Sequence, residues 1–368
     1  MNMDGTALCK KCRQQLPNVG ISVPPSVPRG TRDARELLEE LRRLEPVGPD
    51  AEAVTRDLVR ILTQGGIPLM IDRFPGETVD DAQKMLAELA DEKLDEMEKH
   101  LQAPSKDATL MVLLGSAAFL LKEYEKALDR FNAAVQLDGS SALAEYNRAM
   151  ALQSLSKFED AVQSFTRVIT LKPDFEQAWA NKGRTLYAMG RGKEALEYFE
   201  RALCLDRNDF DAWFSKGVTE EEMGQFQEAI KCLDIALKLR PDFVQAWNFK
   251  GDALFNMGNP EEALAAYEQA LSIRPHDFEA WNNKGIVLFT RKDVKGALEA
   301  FDKALMACAE SADAWFNKGT ALEVSGMLDE SLACYDRALR LDAEHEGARK
   351  SREKLYALGM TSGEKDSD

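Results

Sequence analysis

The sequence predicts an all-α solenoid: a stack of helical hairpins, preceded by a helical N-terminal region and closed by a capping helix. Three observations carry this. Tryptophan occurs five times, at Trp179, Trp213, Trp247, Trp281 and Trp315, with a spacing of 34 residues each time. Each is preceded by alanine and followed four residues later by glycine, at Gly183, Gly217, Gly251, Gly285 and Gly319. A second register follows: a small residue at Ala195, Ala229, Ala263, Ala297 and Ser331, then a large apolar one at Phe199, Leu233, Tyr267, Phe301 and Tyr335. A fixed period of this length marks an architecture in which each repeat packs only on its neighbours.

One unit shows why. Trp179, Gly183 and Leu186 fall on one stripe of a helix at spacings of four and three. Gly190 sits where a glycine ends that helix. A second stripe follows in Ala195, Phe199 and Ala202. Small residues on both helices let the pair approach closely, and the aromatics fill the remaining space. Pro173, Pro241 and Pro275 stop the second helices of their repeats. The register runs backward through Glu145, Ala149, Ala161, Phe165 and Val168, and before that through Met111, Gly115, Ala127, Phe131 and Ala134. Counting these gives seven repeats over residues 108–345, or fourteen helices. The tryptophans read as packing residues between repeats rather than as a ligand ladder.

The 34-residue period and the order Trp, Gly, Ala, aromatic, Ala, Pro resemble the tetratricopeptide repeat family. The resemblance implies a right-handed α-solenoid that acts as a non-catalytic protein–protein interaction scaffold or adaptor. It also implies a concave groove, lined by the first helix of each repeat, that takes a peptide segment or a helix. Carried onto this chain, the groove residues are Tyr146, Asn147, Asn181, Arg184, Phe214, Asn248, Phe249, Asp252, Phe255, Asn282, Asn283, Phe289, Phe316 and Asn317. Asparagines can clamp backbone amides and aromatics can seat apolar anchors. Asp211, Glu221, Glu222, Asp252, Glu279, Asp313 and Glu323 stand against Arg184 on the same surface, so the expected partner is basic or neutral with apolar anchors. Co-chaperones that grip the carboxylate tails of heat-shock chaperones use Lys after the Trp slot and Asn after the Gly slot. Here those slots hold no Lys and no Asn respectively, so a chaperone tail is not the expected partner.

Bulk properties narrow the function further. The net charge of −16 argues against nucleic acid and against anionic membrane surfaces, both of which need basic patches. The longest uncharged apolar run, Ala108 to Leu121, is 14 residues, which suits a buried helix better than a membrane span. No secretory leader is apparent at the N-terminus, and four of the six cysteines are scattered through helical sequence. The expectation is a cytoplasmic protein.

The first hundred residues differ in composition. Residues 1–30 read as a flexible tail with a CxxC half-site at Cys9 and Cys12. Residues 31–107 read as helical, with apolar stripes at Leu37, Leu38, Leu41, then Val54, Leu58, Ile61, Leu62, then Val79, Ala82, Leu86, Leu89. The first repeat helix is apolar nearly all round, and such a helix is buried on every side. Residues 31–107 are expected to cap it, with the stretch from Thr78 to Leu101 as the nearest part to fold back. Residues 346–359 read as a capping helix and 360–368 as a disordered tail.

No catalytic motif is present. His100, His276 and His345 lie far apart, and there is no phosphate loop or nucleophile elbow. The expectation is a non-enzyme without a cofactor. A second reading stays open, a regulator whose N-terminal region docks another partner or shares a zinc ion through Cys9 and Cys12, since one CxxC supplies half of a four-ligand site. A third, an enzyme with a divergent active site, has no motif behind it.

Overall fold

The computed structural model describes residues 59–62, 89 and 107–357, all of whose regular structure is helical. They fall into two compact units, one within residues 16–207 and one within 208–368. The CxxC half-site, most of the expected helical region at 31–107 and the tail at 360–368 lie outside the described residues.

The first unit holds three hairpins: α1 (Ala108–Leu120) with α2 (Tyr124–Leu137), α3 (Ala142–Ser154) with α4 (Phe158–Leu171), and α5 (Glu176–Ala188) with α6 (Gly192–Leu205). The second holds four and a last helix: α7 (Phe210–Glu222) with α8 (Phe226–Leu239), α9 (Val244–Asn256) with α10 (Pro260–Ile273), α11 (Phe278–Thr290) with α12 (Val294–Ala307), α13 (Ala312–Val324) with α14 (Leu328–Leu341), then α15 (Glu346–Ala357). Within each unit a second helix also packs on the first helix of the next hairpin, while successive first helices touch only sparsely. The first helices therefore line one face of each stack.

The small residues of the sequence register are explained by close approach. A Cβ added at Gly251 would lie 2.4 Å from the Tyr267 ring, and one at Gly115 would lie 2.5 Å from Phe131. The aromatic of the second helix lies against the glycine of the first, with Phe131, Phe199, Tyr267 and Tyr335 fully buried there, and Phe165 is fully buried in the repeat that has Ala149 in the glycine slot. Between paired helices the chain turns through a left-handed residue at a fixed place. Gly190, Gly224, Gly258 and Gly326 fill it, but Lys122, Ser156 and Lys292 hold it with positive φ despite their side chains.

The tryptophans are half-buried rather than core residues. In four of them the indole N–H reaches back six residues to a carbonyl in the preceding connection: Trp179 to Pro173 (2.9 Å), Trp247 to Pro241 (2.9 Å), Trp281 to Pro275 (2.8 Å) and Trp315 to Ala309 (3.0 Å). Trp247 and Trp281 also pack on Val244, Ala270, Leu271 and Ala280, at the junction of α9, α10 and α11. A lysine three residues after Trp crosses the ring and pairs with the preceding repeat's second helix: Lys250 with Asp234 (2.6 Å), Lys284 with Glu268 (2.8 Å) and Lys318 with Asp302 (2.6 Å).

The apolar helix α1 is buried along its length, from Leu110 to Phe119. Ile61 and Leu62, both without exposure, share a cluster with Leu110 to Leu114, and Val59 and Leu89 pack against it. Part of its cover thus comes from residues 59–62 and, within the stretch from Thr78 to Leu101, from Leu89. At the other end, Ala348 and Leu355 of α15 complete a cluster with Leu332, Tyr335 and Ala338.

Candidate protein-binding face

The residue just before each first helix recurs every 34 positions: Asp107, Ser141, Phe175, Asp209, Phe243, Asp277, Ser311 and His345. Where it is Asp or Ser, its side chain caps the helix, accepting from the backbone N–H three residues on. His345 does the same through Nδ1 to Ala348. Where it is Phe, no cap bond forms and the ring packs sideways instead.

This row consumes several residues expected in the groove. Each is met by the partner 29 positions later: Tyr146 stacks on Phe175 (4.9 Å between centroids), Phe214 meets Phe243 edge-on (5.0 Å), Asn248 donates to Asp277 (2.9 Å) and Phe316 packs on His345 (4.9 Å). Tyr146, Asn147, Asn181, Phe214, Asn248, Asn282 and Asn283 are buried. The asparagines bond within the stack. Asn181 donates to the Tyr146 hydroxyl (2.7 Å), Asn317 to Asn282 (3.2 Å) and Asn283 to Asp252 (2.8 Å), and Arg184 donates to Asn181. Their amides hold neighbouring repeats together. Arg184, Phe249, Asp252, Phe255, Phe289, Phe316 and Asn317 remain half-buried.

Asp252, on α9, lies near two other acids of the second unit's first helices, Glu221 and Glu279. Its Oδ1 accepts from the Tyr267 hydroxyl (2.6 Å) and from Asn283. Burial, with Glu221 and Glu279 nearby, outweighs those bonds and pushes its carboxyl up to about 7. Tyr335 reaches the same face, donating to Glu323 (2.8 Å). The sequence signal for both contacts was a tyrosine where other repeats place Phe or Leu. Glu279, partly open to solvent at the start of α11, is also raised, by desolvation first and then by Asp277.

Among the described residues, no group of three or more His, Cys, Asp or Glu side chains is placed to hold a metal ion. Burial pushes the thiols of Cys232 and Cys334 up, the latter to about 11, which makes both poor nucleophiles at neutral pH. No helix among the described residues is long and apolar enough to cross a membrane.

Two solved structures that match at a TM-score above 0.5 share the fold. The C-terminal part of a TPR repeat-containing protein from Cytophaga hutchinsonii matches at a TM-score of 0.53, 17% identity, 64% of this chain and 97% of that one. PilF of Pseudomonas aeruginosa matches at 0.51, 16% identity, 60% of this chain and 98% of that one. YrrB, described as a TPR protein with an unusual peptide-binding site, matches at 0.43, 21% identity, 52% of this chain and 99% of that one. A comparison of the sequence with curated proteins found no match. The family description "Tetratricopeptide repeat" matches residues 77–142, 146–212, 214–271 and 250–311, and again 312–345. The first match begins upstream of residue 108, where the sequence register places the first repeat. The chain belongs to the tetratricopeptide repeat family.

Proposed function

We propose that the chain is a non-catalytic interaction scaffold that takes a peptide segment or helix of another protein along its first-helix face. The observation behind this reading is what inter-repeat packing leaves over. Phe255 and Phe289 stay half-buried on consecutive first helices of one unit, while neighbouring residues are used between repeats, Phe249 against Phe214 and Asp252 with Asn283. Half-buried aromatics beside polar groups are the usual anchors of recognition, because they present large apolar area at small entropic cost. The acidic character of the face suits a basic or neutral segment carrying apolar anchors.

Affinity capture from native extract tests this, using the intact chain and a Phe255→Ser/Phe289→Ser variant of matched melting temperature. The reading expects a defined set of proteins to be retained by the first and lost from the second. Identical retention by both would place the binding surface elsewhere.

A further inference from the structure

The partner's chemistry can be taken further on the scaffold reading. We propose that the first-helix face of the 208–368 unit docks a basic amphipathic segment, a lysine or arginine entering between Asp252 and Glu279 while apolar neighbours rest on Phe255 and Phe289.

Three observations support this occupant. The first is charge segregation. In this unit the lysines three residues after each Trp lie on the opposite side, and Lys250, Lys284 and Lys318 pair there with acids of the preceding second helix. The first helices carry no basic residue in the last turn of α7, α9, α11 or α13, where the helix dipole would favour one. The second is an internal precedent. Glu323 stands one repeat beyond Phe289 on this face, and Lys354 of the closing helix α15 places its Nζ 2.6 Å from the Glu323 carboxylate. Where the chain itself brings a cationic helix to this face, a lysine meets the carboxylate. The third is apolar surface: Phe255 and Phe289 occupy the same slot in adjacent repeats and stay half-buried.

The charged surroundings of Asp252 make docking proton-coupled. From α7 it faces Glu221, from α10 Tyr267, and from α11 Glu279 and Asn283. On α9 itself Lys250 is turned away to Asp234 of α8. The carboxyl titrates near neutrality, so a cation beside it favours the ionised form and releases a proton on binding.

The test uses the full chain and three synthetic peptides of equal length, alternating leucine with lysine, glutamate or serine, followed by calorimetry. The lysine peptide is expected to bind, and to tighten by roughly severalfold between about pH 6 and about pH 8 with proton release. It should weaken about tenfold from low to high salt, and about tenfold in Asp252→Asn/Glu279→Gln. A control, Asp234→Asn/Glu268→Gln, removes the same charge from the opposite side and should leave affinity unchanged. Thermal melts show whether each variant is folded, and both use near-isosteric neutral residues. Equal weakening by both variants would mean diffuse attraction to an acidic protein and overturn the proposal. Binding of the serine or glutamate peptide in preference would overturn the basic partner while leaving the scaffold reading intact. If none of the three binds while native proteins are still captured, the proposed docking chemistry is wrong; if capture fails as well, the scaffold reading falls with it.

Discussion

Glu145 and Arg167 together replace a tryptophan. Glu145 occupies the Trp slot of its repeat with no exposed side chain, and Arg167 Nε lies 2.8 Å from its carboxylate. Arg167 Nη2 also donates to the Gly139 carbonyl at 3.1 Å. Gly139 is six residues before Glu145, the place from which an indole N–H is satisfied in other repeats. Arg148 supplies a second ion pair at 2.8 Å. Arg167→Met would keep the stem but remove the donor, leaving Glu145 with one cationic partner. Because Arg167 is largely exposed, the expected loss is about 1–2 kcal/mol, less than for a fully buried pair. Urea denaturation measures it; an unchanged midpoint would show that Arg148 suffices.

Trp247 is half-buried, and its truncation should cost less than a core aromatic does. Trp247→Ala removes a bond to Pro241 and packing beside Leu271, for an expected loss of about 2–3 kcal/mol. Trp247→Phe keeps the packing and should cost roughly 1 kcal/mol. If the two substitutions were equally damaging, the hydrogen bond rather than the ring would dominate.

Lys292 holds a left-handed turn residue at φ 67 where four other repeats use glycine. Lys292→Gly relieves that conformation but adds unfolded-state entropy, so the expected net gain is small, about 0.5 kcal/mol. Gly258→Ala at the same place, φ 83, has open space around it and should lose about 1 kcal/mol from conformation alone. A combined melt series checks both signs.

The raised carboxyl of Asp252 fixes a pH dependence. Its folded value, about 7, lies above the ordinary unfolded value near 4, so between those limits the folded state binds more protons. Its contribution therefore falls as pH rises from about 4 through about 7. Asp252→Asn, which can still accept from Tyr267, should raise the melting temperature at about pH 8 by a few degrees and change little at about pH 4. A larger stabilisation at the acidic end would reverse the assigned sign.

Removing residues 1–104 would strip Ile61, Leu62 and Leu89 from α1 and expose Leu110 to Leu114. The expected result is a lower melting temperature or self-association, since each such side chain contributes about 1.5–3 kcal/mol when covered. An equally stable monomeric fragment would show that this cover is dispensable.

Packing residues were legible in the sequence because seven copies of one pattern expose every slot that sterics constrain. Gly251 and Tyr267 could be paired on paper: only a residue without a side chain fits beneath that ring. Binding residues were legible only in part. Asn248, Asn282 and Tyr146 have the chemistry of groove residues, yet their partners lie 29 or 35 positions away in other repeats, on slots that the family pattern leaves unspecified. The row that begins Asp107, Ser141, Phe175, Asp209 carried a usable signal, since each position holds either a capping residue or phenylalanine. Arg167 carried none, because its role depends on where Glu145 and Gly139 come together in space.

The contacts spanning 29 residues vary from junction to junction: stacked rings at Tyr146 and Phe175, edge-on rings at Phe214 and Phe243, amide on carboxylate at Asn248 and Asp277, ring on imidazole at Phe316 and His345. Each repeat is thus addressed to its own successor, and the modules are not interchangeable despite their common outline. Excising residues 243–276 would preserve the period, yet it would seat the Phe214 ring against the Asp277 carboxylate. The order of the repeats is written into their seams, and an array shortened by one whole period would be spliced in register but mismatched in chemistry.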